Sequence, residues 1–311
     1  MENASTELDP EFVAVVDEFR ETGVPPWHAM SVPSARRLED ELFSAGDGPS
    51  MRTVRELAFD GPGGSIGIRV YRPEADDPPT LVFYHGGGWT LGTLNSADDV
   101  CRELARRAGC LVASVDYRLA PEHPFPAPVD DALAALEWTV DHAASFGADP
   151  GRVGVAGTSA GGNLAAATAL RTRGRSIGID GQFLLYPILD RAFDTPSYRE
   201  FADSPLLSRA DMQWFWDQYL RSPVDGANPY ASLLRAPDVS GAAPATVLTA
   251  GRDVLRDEAV AYAERLDAAG VSVTHHNYPA LAHGFLSMTD DVGAADNAMD
   301  RLGATISDRL A

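Results

Sequence analysis

The chain has 311 residues with 25 basic against 45 acidic side chains, a formal net charge of −20, and that repulsion argues against nucleic acid or an anionic membrane surface as its main partner. Every basic side chain is Arg, which rules out a Walker A lysine, a Schiff-base lysine and a Ser-x-x-Lys pair. At roughly 150 residues per domain, the length allows two domains or one large α/β unit with a sizeable core.

The opening Met1-Glu-Asn-Ala-Ser-Thr-Glu is acidic and polar where a secretory signal is basic and then apolar, and no apolar run approaches the ~18 residues of a membrane span, so a cytoplasmic protein is expected. Asp9 reads as an N-cap and Pro10 as the first helical residue. Leu8, Phe12, Val15, Val16 and Phe19 then form one apolar face before Pro25 and Pro26 end the helix. A second helix is expected after Ser34, with Ala35, Leu38 and Leu42 at helical spacing, ahead of a Gly/Asp/Ser-rich stretch at 45–50.

From Val54 the pattern changes. Short β-branched or aromatic runs at 54–59, 66–71, 80–84, 110–116, 152–156, 182–186, 245–250 and 271–278 alternate with helix-length segments, clearest at 96–108, 129–145, 160–172, 257–269 and 292–310. From the third run onward this is the β-α-β rhythm of a mostly parallel sheet with helices on both faces, an α/β fold. Cys101 and Cys110 have no His or Cys neighbours at metal-ligand spacing and read as core thiols, so no metal is expected. Some sixty residues separate the runs at 182–186 and 245–250. They include a capping box, Ser208 to Asp211, followed by Met212, Phe215, Trp216 and Tyr219 at i, i+3, i+4, i+7, with Trp214 and Leu220 beside that stripe. A helix apolar on more than one face must cover something besides its own sheet, and a lid over a pocket satisfies that. An ordinary packing helix is the plainer alternative.

Val153-Gly-Val-Ala reads as a strand from which Gly157-Thr-Ser159-Ala-Gly161 turns into the helix at Leu164. This is G-x-S-x-G in the context it needs, strand, sharp turn and helix, with glycines where a Cβ would keep the backbone from closing up. Phe83-Tyr-His85-Gly-Gly-Gly-Trp89 follows another strand. Two of its three glycine amides, with the amide of Ala160 at the helix N-terminus, suit an oxyanion. Asp253 sits on the loop after the run at 245–250, where catalytic groups of such sheets collect, while Asp257 reads as the N-cap of the next helix. Among seven histidines, His275 and His276 lie inside a strand and His85 in the glycine loop. His28, His123 and His142 lack a comparable setting. His283, on the loop after the last run, has the freedom to reach the serine, and Ser159, Asp253, His283 is the chain order expected for this elbow.

His85-Gly-Gly-Gly-Trp, Asp116-Tyr-Arg-Leu-Ala-Pro-Glu-His-Pro-Phe-Pro-Ala, Gly157-Thr-Ser-Ala-Gly-Gly-Asn, Asp253-Val-Leu-Arg-Asp-Glu and His283-Gly-Phe, in that order, resemble the hormone-sensitive-lipase-like microbial carboxylesterases of the α/β-hydrolase superfamily. The resemblance implies an eight-stranded sheet and hydrolysis of short-chain esters through an acyl-enzyme without a cofactor. It implies Ser159, Asp253 and His283 as the triad, and Gly87, Gly88 and Ala160 as the oxyanion amides. It also implies a cap of residues 1–50 and 190–225 over a catalytic domain of 51–189 and 226–311. Many relatives carry Asp where this chain has Thr158, which puts the chain nearer a Thr-containing branch. Trp89, Trp214, Phe215 and Trp216 are expected at the substrate, a small-molecule ester. An amidase or formamidase on the same triad is the alternative chemistry. A small-molecule receptor on a dead scaffold is disfavoured by the filled triad. The oligomeric state is not given, and a homodimer stays open.

The absence of Lys, the acidity and about two Asp for every Glu suggest adaptation to a salt-rich cytoplasm, with GC-rich codon bias as the alternative. Screening shortens from a Debye length of ~10 Å at 0.1 M to ~3 Å at 1 M, which relieves carboxylate repulsion in the compact state. Under salt adaptation, melting temperature and activity both climb between about 0.1 and 3 M KCl; an optimum at low salt followed by steady decline rules it out.

Overall fold

The eight apolar runs all become strands of one sheet: β1 (Thr53–Gly61), β2 (Gly64–Arg72), β3 (Pro79–Tyr84), β4 (Leu111–Asp116), β5 (Asp149–Thr158), β6 (Gly181–Leu185), β7 (Ala245–Ala250) and β8 (Val273–Tyr278). The computed structural model describes residues 7–44 and 48–311. The opening segment to Thr6 and residues 45–47 of the Gly/Asp/Ser-rich stretch lie outside the described residues. Strand order is β1-β2-β4-β3-β5-β6-β7-β8. β1 and β2 form an antiparallel hairpin and β2 meets β4 antiparallel, whereas every later pair is parallel. The connections account for this: a tight turn with Gly64 at φ 136° returns β1 on itself, while a parallel neighbour needs a long crossover.

Helices α1 (Pro10–Glu21) and α2 (Val32–Phe43) precede the sheet, and α3 (Asp98–Ala108), α4 (Ala127–His142) and α5 (Ala160–Arg171) link its central strands. The long connection holds α6 (Pro196–Glu200) and α7 (Arg209–Tyr219), and α8 (Arg256–Ala268) and α9 (Gly293–Arg309) complete the chain's helices among the described residues. All residues of β3, β6 and β7 are buried, as strands covered on both faces must be. One apolar cluster packs α4, α5 and α8 on the sheet through residues such as Leu136, Leu164 and Tyr262. The other packs α3, α9 and α1 on the opposite face through Leu104, Met299 and Phe12.

Local starts and stops follow side-chain chemistry. The Asp9 carboxylate accepts the Glu11 and Phe12 N–H groups, so α1 begins as expected. It ends at Glu21, ahead of Pro25, and Gly23 follows at φ 71°. α2 starts three residues before the expected boundary. Ser31 caps it through the Ser34 N–H, and Pro33 sits in the first turn, where its missing N–H costs nothing. The Ser208–Asp211 capping box is formed. Asp257 is not an N-cap: α8 begins at Arg256, and the Asp257 carboxylate instead accepts the Ser197 N–H at 2.7 Å, tying α8 to α6. Cys101 and Cys110 are free and buried, and burial pushes the Cys110 thiol up to about 12. Among the described residues no His/Cys/Asp/Glu group could hold a metal ion, and no helix is long and apolar enough to cross a membrane.

Candidate active site

Ser159 stands between β5 and α5 at φ 53°, ψ −115°, a strained backbone that its surroundings enforce. Its N–H donates to Leu185 O at 2.8 Å, and its carbonyl accepts from the Asn163 and Ile188 amides. The motif glycines are required by contact: a Cβ on Gly157 would lie 2.2 Å from Gly161 O, and one on Gly161 would lie 1.8 Å from Tyr84 O. The side-chain amide of Asn163 donates to Ile188 O and Ala231 O, locking the start of α5 to the chain beyond β6.

His283 reaches this serine from the loop after β8. Its Nε2 lies 3.0 Å from Ser159 Oγ and its Nδ1 2.7 Å from Asp253 Oδ2. Asp253 is 1% exposed, and its other oxygen accepts the Leu255 N–H. A carboxylate so placed accepts the hydrogen bond from Nδ1–H, which keeps the proton on Nδ1 and leaves Nε2 as an acceptor toward the serine hydroxyl. The two loops are stitched together by Gly251 N–H to Tyr278 O and Arg252 N–H to Leu281 O. A Cβ on Gly251 would stand 2.4 Å from Pro279 Cα, which explains the glycine. Tyr186, unnoticed in the sequence, packs its ring against the His283 imidazole at 5.0 Å. His275 bonds Thr249 within the sheet and His28 bonds Asp211, so neither is directed at the serine.

His85 is buried, stacked 4.3 Å from the Tyr117 ring, with Nδ1 2.8 Å from Gly86 O. Burial lowers its pKa to about 4, so it is neutral at working pH and serves the loop's shape. Gly87 and Gly88 have φ of 94° and 57°. Crowding excludes side chains at both: a Cβ on Gly87 would lie 2.4 Å from Leu91 O, and one on Gly88 would lie 2.1 Å from the Phe215 ring. Among the described residues, the N–H groups of Gly87, Gly88 and Ala160 are engaged in no internal hydrogen bond. Gly86 comes so close to the elbow that its Cβ would stand 3.5 Å from Ser159 Cβ. A hydroxyl, an imidazole oriented by a carboxylate, and free amides alongside can together support acyl transfer.

Ser159 and His283 open on a cavity of about 150 Å³. Leu206, Leu207, Met212 and Phe215 wall it from the long connection, and Trp27, Glu39 and Phe43 from the N-terminal segment. The two segments are joined by Trp27 Nε1–H to Leu206 O at 3.1 Å and by His28 to Asp211 at 2.8 Å. Of the four aromatic residues expected at the substrate, Phe215 lines the cavity and Trp89, Trp214 and Trp216 do not. Trp89 and Trp216 are fully buried behind it. Trp89 stacks on Tyr219 at 4.0 Å and meets Trp216 at 4.8 Å, so these rings pin α7 to the glycine loop. Trp214 lies on the shoulder of the helix against Phe215. Trp27, Phe43 and Leu206 were missed because they come together only in the folded chain.

Residues 81–287 match the family model described as the alpha/beta hydrolase fold. The chain is 48% identical over 256 residues to the carboxylic ester hydrolase LipN of Mycobacterium tuberculosis, covering 79% of this chain and 68% of that protein. It is 36% identical over 305 residues to an ethyl acetate hydrolase of Pseudomonas putida, covering 94% and 96%. Among solved structures it is similar to an ester-hydrolase from the metagenome of Lake Arreo, with a TM-score of 0.91, 41% identity, and coverage of 97% of this chain and 98% of that one. A thermostable esterase of Pseudomonas putida ECU1011 gives 0.93 and 34%, with 99% of each chain covered.

Proposed function

The chain belongs to the hormone-sensitive-lipase-like carboxylesterases of the α/β-hydrolase fold, and from that premise we propose that Ser159 is the nucleophile with which it hydrolyses esters, His283 its base and Asp253 the orienting acid. The observation that carries this reading is the continuous Ser159–His283–Asp253 hydrogen-bond line at 3.0 and 2.7 Å. His283 Nε2 takes the Oγ proton as Oγ attacks the ester carbonyl carbon. The carbonyl oxygen, now an oxyanion, is received by the Gly87, Gly88 and Ala160 amides, worth about 3 kcal/mol each in the transition state. Collapse breaks the bond to the alkoxy oxygen, which leaves as the alcohol with the proton from His283. A water then gives its proton to His283 and attacks the acyl-serine, and the acid departs as Oγ regains its proton.

The same reading divides the chain into a cap of 1–50 and 190–225 over a catalytic domain of 51–189 and 226–311. It makes the substrate a small ester with a short acyl chain. In support, the cavity of about 150 Å³ is well under the roughly 300–1,000 Å³ of sites that hold drug-sized ligands. Relatives named ethyl acetate hydrolase and acetyl esterase point the same way. A series of p-nitrophenyl esters with rapid mixing tests both parts. The expected result is a burst of nitrophenol followed by slower turnover, with kcat/KM highest at acetate to butyrate and falling at longer chains. Highest kcat/KM at decanoate or beyond overturns the short-acyl reading.

A further inference from the structure

Arg36, Glu39, Asp40 and Phe43 recur at i, i+3, i+4 and i+7 on α2 and so share one face. That face grips the loop after β3. Arg36 Nε–H donates to Thr90 O at 2.8 Å, Asp40 accepts from the Thr93 hydroxyl at 3.1 Å, and Phe43 reaches the cavity. Between them sits Glu39, only 8% exposed, its carboxyl packed beside Ser96 and Gly92, whose hydroxyl and N–H hold its pKa below what burial alone would give. Its Oε2 is buried without a partner among the described residues. The mechanism above gives this buried acid no task.

Gly92 is the joint between this carboxyl and the glycine turn. At φ 96° it packs so tightly that a Cβ would stand 2.3 Å from His85 Nδ1 and 2.8 Å from Gly86 O, and a Cβ on Gly87 would lie 3.0 Å from the Gly92 nitrogen. With no slack between these backbones, a shift of Gly92 moves the peptides of Gly86 to Gly88 with it. We propose that Glu39 is a positioning residue of this esterase: from the cap it fixes Gly92, and through Gly92 it sets the Gly87 and Gly88 amides where the oxyanion forms. The proposal rests on those amides forming the oxyanion hole.

Burial, with Asp40 beside it, raises the Glu39 carboxyl to about 7, so the folded chain holds the neutral acid below about pH 7 and the carboxylate above it. Gln reproduces its shape and polarity and Ala reproduces neither. The test measures kcat and KM on p-nitrophenyl acetate, and inhibition by a short trifluoromethyl ketone against the matching methyl ketone, for the wild type, Glu39→Gln and Glu39→Ala. In Glu39→Ala, kcat and the trifluoromethyl ketone's advantage should both fall about 30-fold while KM stays within about threefold. Glu39→Gln should keep all three within about threefold of the wild type. A Glu39→Ala enzyme with unchanged kcat, a change confined to KM, or equal damage by Gln and Ala overturns the proposal. If the wild type shows no advantage for the trifluoromethyl ketone, the oxyanion reading itself has failed; if Glu39→Ala keeps that advantage, only the role of Glu39 has.

Melting curves guard against misfolding and carry a sign of their own. Because the folded-state value lies above the ordinary 4.5, folded wild type loses stability as pH rises through about 7. Glu39→Gln should therefore melt higher than wild type at about pH 8 and near it at about pH 4.5. Should Glu39→Ala not fold, Glu39→Met keeps most of the volume without the carboxyl and decides by the same split: a several-fold loss of kcat at constant KM supports the proposal, and no loss overturns it.

Discussion

Ser159→Ala should fold as the wild type does and lose about 10⁵–10⁶-fold in kcat on a short p-nitrophenyl ester, with the nitrophenol burst abolished. The hydroxyl is the only atom removed. Alanine keeps the Cβ, so the strained backbone at φ 53° stays held by Leu185 O, the Asn163 amide and the Ile188 amide. The melting temperature therefore changes little. What remains is attack by water with His283 as base and the three amides still in place, about 10³–10⁴-fold above the uncatalysed rate. Single-turnover kinetics and the mass of the trapped acyl adduct provide the check. Turnover near the wild-type rate in a preparation free of host esterase overturns the assignment.

Removing residues 1–44 should lower kcat/KM on short esters by at least about 100-fold, since misplacing reacting groups by about 1 Å already costs that much. Three sets of contacts go at once. The cavity loses the Trp27 and Phe43 walls, the long connection loses the bonds at Leu206 and Asp211, and the glycine loop loses Arg36 from Thr90 O. Phe12 and Val16 leave a face where both are buried, and at about 1.5–3 kcal/mol for each such side chain the shortened protein should melt several degrees lower. Residual activity should tilt toward longer acyl chains as the cavity opens. Unchanged kinetics and acyl preference after truncation show that this segment does not cap the site.

Features specified within a few residues of each other were legible in the sequence. Every strand run reappears to within about three residues; the central ones β3, β6 and β7 are covered on both faces and so continuously apolar, while the edge strands β1 and β8 were readable from their β-branched and aromatic residues. The elbow was readable because strand, glycines and helix follow one another directly, and Asp253 and His283 because they occupy loops at strand ends. Ser34 was taken for the start of α2 because Ser31 satisfies the same capping rule three residues earlier. Trp89 and Trp216 look like pocket aromatics in one dimension, and only their stacking with Tyr219 turns them inward. Glu39 gave no signal, since an acid on an amphipathic helix ordinarily faces water. Its partners Gly92 and Ser96 lie more than fifty positions away along the chain.

The amide of Asp9 donates to Ala280 O, three residues before His283, and the Glu11 carboxylate accepts the Gly293 N–H at the start of α9. In vectorial synthesis, α1 thus waits for partners made long after it. Until the region of 280–293 has emerged, Phe12 and Val16 have no complete face to cover, and the nascent chain carries exposed apolar surface of the kind that aggregates or recruits chaperones. Closing so long a loop also makes this contact late in folding. The histidine loop and α1 therefore dock together.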